Sequence, residues 1–144
     1  MPLPEPRPGL VISYAYLWAE ERDADRAEGV KDRPCVILVA ADTGDSDTVV
    51  IVVPITHSPP DDPSFCVEIP PQTKQRLGLD AERAWAVANQ VNRFVWPGVD
   101  LRPVSRREPD RFAYGYLPPA IFRRITEALL RAARNRRAGI VSRD

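Results

Sequence analysis

Apolar positions recur along this chain in two registers. The stretches Gly9 to Trp18, Cys35 to Ala41, Thr48 to Ile55 and Phe65 to Ile69 are rich in Val, Ile and aromatic residues, the composition of short strands. Trp85 to Val91 is a fifth candidate strand. The run VVIVV at 49–53 is apolar at every position, which predicts a strand buried on both faces at the centre of a curled sheet. The other register is helical. After Pro118 and Pro119, apolar residues fall at 121, 122, 125, 128, 129, 132 and 133, a helical stripe with arginines on the opposite face. Proline suits the first turn of such a helix, where its missing N–H would have no intrahelical partner. PPQTKQRLGL at 70–79 predicts a helix of one or two turns stopped by Gly78.

Many of the 16 prolines stand at the edges of these segments, among them Pro34, Pro54, Pro59, Pro60, Pro70 and Pro71. TGDSD at 43–47 reads as a turn between two strands. Residues 20–32 are densely charged without an apolar period, and join the first two strands as a mobile loop or short solvated helix. The sum is a mainly β chain: a small, strongly bent antiparallel sheet or barrel with a short internal helix and a C-terminal helix. Residues 1–144 read as a single domain, with 1–8 a flexible N-terminal arm and 135–144 a basic C-terminal tail.

Composition narrows the classes of function. No apolar stretch approaches the roughly 20 residues of a membrane helix. The N-terminus MPLPEPRPGL carries four prolines and no apolar signal core, so a cytoplasmic protein is expected. Cys35 and Cys66 sit in apolar runs and read as buried thiols rather than a disulfide, a metal pair or a nucleophile. With no G-x-x-x-x-G-K, no G-x-G-x-x-G and no Cys/His cluster, nucleotide and zinc chemistry are disfavoured and no cofactor is expected. The net charge of zero hides an imbalance. Residues 1–80 carry 7 Lys+Arg against 14 Asp+Glu, and residues 81–144 carry 13 against 6. Of the 20 basic residues 18 are Arg, suited to bidentate contacts with phosphate, although a GC-rich genome gives the same bias. The basic half is the natural place for an anionic partner.

The order of motifs carries a resemblance. A first strand, a charged loop ending in Asp32-Arg33-Pro34, the strand CVILVA, the buried strand VVIVVPIT ending at Thr56, and VANQVNRF at 87–94 resemble the MazF/PemK family of bacterial toxin–antitoxin toxins, across roughly residues 9–134. The resemblance implies an SH3-like barrel of the CcdB/PemK kind with a C-terminal helix, acting as a homodimer. It implies metal-independent cleavage of single-stranded RNA to 2′,3′-cyclic phosphate and 5′-hydroxyl ends, and neutralisation by a cognate antitoxin. Carried over by position, the family's catalytic arginine falls on Arg33, its strand-end threonine on Thr56, and a glutamate of several members on Glu28. The acidic residue many members place before a glutamine is met here by Asn89, followed by Gln90. An amide does not accept a proton near neutral pH, so a general base at this position is in doubt.

The residues make chemical sense on their own terms. Attack of a 2′-hydroxyl on phosphorus needs a base, a proton donor at the leaving oxygen and a cation at the charged phosphorane. Arg33, at the junction of loop and strand, suits the cation, and Thr56 can donate to a phosphate oxygen. His57 is the sole histidine and a substitute acid or base, unless strand alternation points it away from Thr56. Glu28 is the other proton-handling candidate, one of six carboxylates between residues 20 and 32. Arg93, Phe94, Trp96 and Arg102 interleave basic and aromatic side chains as an RNA groove does. Arg93, Trp96 and Arg102, with Asn89 and Gln90, are therefore the expected RNA contacts, while Trp18 and Trp85 read as core. Arg123, Arg124, Arg131, Arg134, Arg136 and Arg137 read first as a solvated face and second as a surface for an acidic antitoxin segment. Two rivals stand beside the nuclease: a catalytically degenerate barrel that binds RNA or protein without cutting, and a CcdB-like poison of DNA gyrase.

Overall fold

Alternation along three adjacent strands gives the sheet two apolar faces. In the computed structural model, which describes residues 3–16, 31–135 and 139–142, these strands are β1 (Leu10–Tyr16), β2 (Lys31–Asp42) and β3 (Thr48–Thr56). Val11, Val36, Leu38, Val53 and Ile55 point into one buried cluster, and Ile12, Tyr14, Cys35, Ile37, Val50 and Val52 into another. The VVIVV strand is central as expected: β2 pairs along one edge, while β5 (Trp85–Val87) and β6 (Gln90–Val95) share the other. All three partners are antiparallel to it. Val49 and Ile51 keep partial exposure, so the burial of that run is not complete at its first turn of alternation.

The strand order β4-β5-β3-β2-β1-β7, with β4 (Cys66–Glu68) and β7 (Ala113–Tyr116) at its ends, curls into a half-barrel. The gap between those ends is spanned by helix α1 (Pro71–Leu77), which opens on Pro70-Pro71 and stops at Gly78 in the left-handed region, φ 77°. Leu77 of α1 packs so closely on β7 that a Cβ on Gly115 would lie 3.0 Å from its Cδ2. The Arg76 guanidinium donates to the Tyr116 carbonyl at 2.9 Å, satisfying an edge acceptor. Helix α2 (Pro119–Arg134) begins at Pro119 as the sequence predicts and buries Ile125, Ala128 and Ala132. Ile125 and Ala128 join the first cluster, and Arg123, Arg124, Arg131 and Arg134 face solvent.

Three expectations need correction. The single strand expected over Trp85 to Val91 is two strands, β5 and β6, separated by a turn at Ala88-Asn89. Five residues, 87–91, cover the stretch that β3 crosses with only Val53 and Pro54, so three residues bulge out of the ladder. The break lies opposite Pro54, which has no backbone N–H to offer a partner. Next, Gly139–Ser142, inside the stretch read as a basic tail, forms β8, parallel to β6. Last, Cys66 is not core but half-buried at the edge of a pocket, while Cys35 is fully buried. Trp85 is core as expected; Trp18, Arg136 and Arg137 lie outside the described residues.

Candidate functional site

The β2–β3 register leads to the site. Cys35 pairs with Pro54, and extending that antiparallel register by two residues on each strand sets Arg33 opposite Thr56. Residues directly opposite share a face of the sheet, and Tyr14 of β1 pairs with Arg33 on the far side. Arg33 and Thr56 thus stand together at the rim of the second cluster, on a ridge with a pocket on each side.

The first pocket, about 390 Å³, lies between the ridge, the β3–β4 loop and the bulge between β5 and β6. Arg33 and Thr56 form one wall, Pro59, Pro60 and Asp61 another, and Asn89 and Gln90 a third. The loop is fastened from below. Asp62 caps a 3-10 turn at Pro63–Phe65 by accepting from the Ser64 N–H at 3.0 Å, and Arg131 of α2 donates to the Ser64 carbonyl at 3.1 Å. The Cys66 thiol donates to the Asp62 carbonyl at 3.5 Å. Burial, reinforced by the Asp62 charge, pushes that thiol above its ordinary range, so it stays protonated and is a poor nucleophile.

The second pocket, about 580 Å³, opens on the other side of the same ridge. His57, Asp80 and Glu82 stand at it together with Tyr114 and Lys74. His57 Nε2 is 2.9 Å from Asp80 Oδ1 and Nδ1 is 3.7 Å from Glu82 Oε2. Lys74 is buried in α1 and donates to the Ala81 and Glu82 carbonyls, which fixes the turn carrying both carboxylates. Burial raises the Tyr114 phenol above its ordinary range, partly offset by its hydrogen bond with Ser13, and leaves it a neutral donor. Among the described residues, His57, Asp80 and Glu82 are the group whose ligand atoms gather within 4.8 Å; all three are exposed, and His57 is already hydrogen-bonded to Asp80.

Thr56 ends its strand in a turn in which the Ser58 N–H donates to Thr56 Oγ1 at 3.2 Å. One lone pair of the hydroxyl is thereby used, and no acceptor among the described residues takes its O–H, which a ligand can then receive. Strand alternation does separate Thr56 from His57 in part: Thr56 borders both pockets and His57 only the second.

The expected RNA contacts divide. Asn89 and Gln90 border the first pocket, carried there by the bulge. Arg93, Trp96 and Arg102 border neither. Arg93 lies on β6 across from Ile51 and Ser142. Trp96 stacks on Phe94 at 6.2 Å, which itself stacks on Tyr14 at 4.6 Å, so the aromatic run packs against the second cluster. Arg102 donates to the carbonyls of Val99 and Leu101 at 2.7 and 3.3 Å and lies 3.8 Å from the carboxylates of Asp32 and Asp100. Glu28 lies outside the described residues. Sequence reasoning passed over Ser58, Asp61 and Asp62; their signal is a polar, Pro-rich break directly after the strand that ends at Thr56.

The residues forming this ridge fall in the segment that a family model recognises. The model of the PemK-like, MazF-like toxin of type II toxin–antitoxin systems matches residues 16–95, more than half of the chain. The chain belongs to the PemK/MazF toxin family. Among solved structures it is similar to a mycobacterial endoribonuclease in complex with its cognate antitoxin, with a TM-score of 0.54 and 18% identity over 90% of this chain and 95% of that one. That likeness carries the fold. No curated protein matches the chain by sequence. Within the PemK/MazF family match lie Arg33, Thr56, Asn89 and Gln90 alike, whereas α2, which fastens the pocket loop through Arg131, lies beyond it. Among the described residues no helix is long and apolar enough to cross a membrane.

Proposed function

We propose that this PemK/MazF-family toxin is a metal-independent endoribonuclease that cuts single-stranded RNA and is held in check by a cognate antitoxin. The observation that carries the reading is the ridge: a permanently charged guanidinium and a hydroxyl with a free O–H, side by side between two nucleotide-sized pockets. An RNA strand laid across it puts one phosphodiester on Arg33 and Thr56 with a nucleotide in each pocket. The 2′-oxygen gives its proton to a base and bonds to phosphorus; the P–O5′ bond breaks and the leaving oxygen takes a proton. The products are a 2′,3′-cyclic phosphate and a 5′-hydroxyl. Arg33 offsets the extra negative charge of the phosphorane, and Thr56 donates to a non-bridging oxygen. His57, held between Asp80 and Glu82 on the second-pocket side, or Glu28 handles the protons. The family resemblance further supports a homodimer acting in the cytoplasm, and the antitoxin in the similar mycobacterial structure supports one here.

The test is incubation of the purified protein with mixed-sequence single-stranded RNA in EDTA, beside Arg33→Ala. Discrete fragments with 5′-hydroxyl ends, reduced at least about a hundredfold in the mutant, are expected. Cleavage by Arg33→Ala at the parental rate removes the assignment. A second reading rests on Asn89, an amide where a base is expected: a barrel that binds RNA without cutting, for which wild-type protein would leave the RNA intact.

A further inference from the structure

The two sides of the ridge differ in what they accept. Among the described residues Arg33 is the sole cation lining the first pocket, which also carries Asp61 and Asp62, so the charge of its described walls is negative overall. A second phosphate is repelled there. A neutral group bearing hydrogen-bond donors is attracted, and Pro59, Pro60 and Val87 supply apolar surface for a flat ring to lie on. The two carboxylates are not equivalent. Asp62 spends one oxygen on the Ser64 N–H as the cap of the 3-10 turn. Asp61 is exposed and makes no hydrogen bond or ion pair with any described residue, so both its oxygens are open to a ligand. A carboxylate with two open oxygens matches two adjacent N–H donors. Among the four RNA bases only guanine presents such a pair, N1–H and N2–H, on its Watson–Crick edge; adenine and cytosine offer one amine and uracil one imide N–H. Asn89 and Gln90 line the same pocket, and an amide N–H is the kind of donor that the acceptors O6 and N7 of the same ring take.

We propose that the first pocket is a guanine subsite, with Asp61 reading N1–H and N2–H of one of the two nucleotides that flank the scissile phosphate on Arg33 and Thr56. The assignment rests on the nuclease reading above, and makes Asp61 a specificity residue rather than a catalytic one. The pocket is thereby the part of the molecule that chooses where RNA is cut, and the ridge the part that cuts.

The experiment maps cleavage sites on a randomised single-stranded RNA with wild-type protein and Asp61→Asn, then repeats the best substrate with inosine, which lacks the N2 amine, in place of guanine. Asp61→Asn should fold normally, with an unchanged melting temperature, because the side chain is exposed and has no hydrogen bond or ion pair to a described residue to lose. The expected result is guanine enriched at one position beside the cut, loss of that enrichment in Asp61→Asn, and a drop of about tenfold with inosine for wild type alone. Cuts without a guanine preference, or a preference unchanged in Asp61→Asn, overturn the subsite. Should wild-type protein not cut, affinity for 2′-O-methyl oligonucleotides decides. Tighter binding of guanine than inosine that depends on Asp61 keeps the subsite and removes the nuclease reading, whereas equal affinities for both proteins remove the subsite.

Discussion

Arg83, on the surface of the β4–β5 pair, is clamped between a carboxylate and a ring. It donates to both oxygens of Glu68, at 2.9 and 2.8 Å, and lies 4.9 Å over the Trp85 ring. The hydrogen bond from Arg83 is the main reason the Glu68 carboxyl is held below its ordinary range. A lowered folded-state value means that the pair stabilises the fold above the unfolded carboxyl's range, and that this contribution is lost as pH falls through the folded value. Glu68→Gln should therefore melt at a lower temperature than wild type at neutral pH, and the gap should close below pH about 4. Thermal melts of the two proteins across that range check it; a gap that persists in acid would mean the geometry of the clamp, and not its charge, matters. At this scale much of the site is legible before folding. Arg33 and Thr56 are picked out because each stands at the end of an apolar strand, at positions that the family resemblance marks. Asp61 is not, because a carboxylate in a Pro-rich loop has no period to violate, and only the fold sets it across from Asn89.

Among the elements, closure of the half-barrel depends on one small residue. Gly115 of β7 has φ +136° and would place a Cβ 3.0 Å from Leu77 of α1, whereas Gly44, in the β2–β3 turn at φ +90°, has nothing within 4 Å. Gly115→Ala combines backbone strain with overpacking and should cost about 1–3 kcal/mol of stability. Gly44→Ala carries the backbone component alone and should cost less; denaturant midpoints of the two variants compare them, and equal losses would show that α1 yields freely. Strands β1 to β4 and both helices are readable from Val, Ile and aromatic content, helical stripe and proline placement. The misses share a cause. β7 (AYGY) and β8 (GIVS) are too short to show alternation and exist because an adjacent strand edge needs partners, β1 for one and β6 for the other. The break between β5 and β6 follows from Pro54 on the facing strand, which local sequence at 85–91 does not contain.

For the molecule as a whole, a net charge of zero conceals where the cations are spent. The arginines of α2 face solvent away from the described walls of the first pocket, except that Arg131 reaches back to fasten its loop. RNA held by the ridge and one base pocket displaces few counterions. Affinity for a non-cleavable single strand should thus fall only gently with salt, with a log–log slope of magnitude about 1–2. Titrations between low and moderate salt measure that slope, and a steep one would move the RNA onto the arginine face of α2. The bulge at 87–91 has a consequence of another kind. Val87 pairs with Cys66 of β4, Gln90 and Val91 pair with β8, and Ala88 is buried with its N–H on the Phe65 carbonyl, which leaves Asn89 as the position of the bulge whose side chain can be exchanged with least disturbance of β3 and the ridge. Under the nuclease reading, inheritance can therefore adjust which base the pocket prefers through that one position while Arg33 and Thr56 are passed on unaltered.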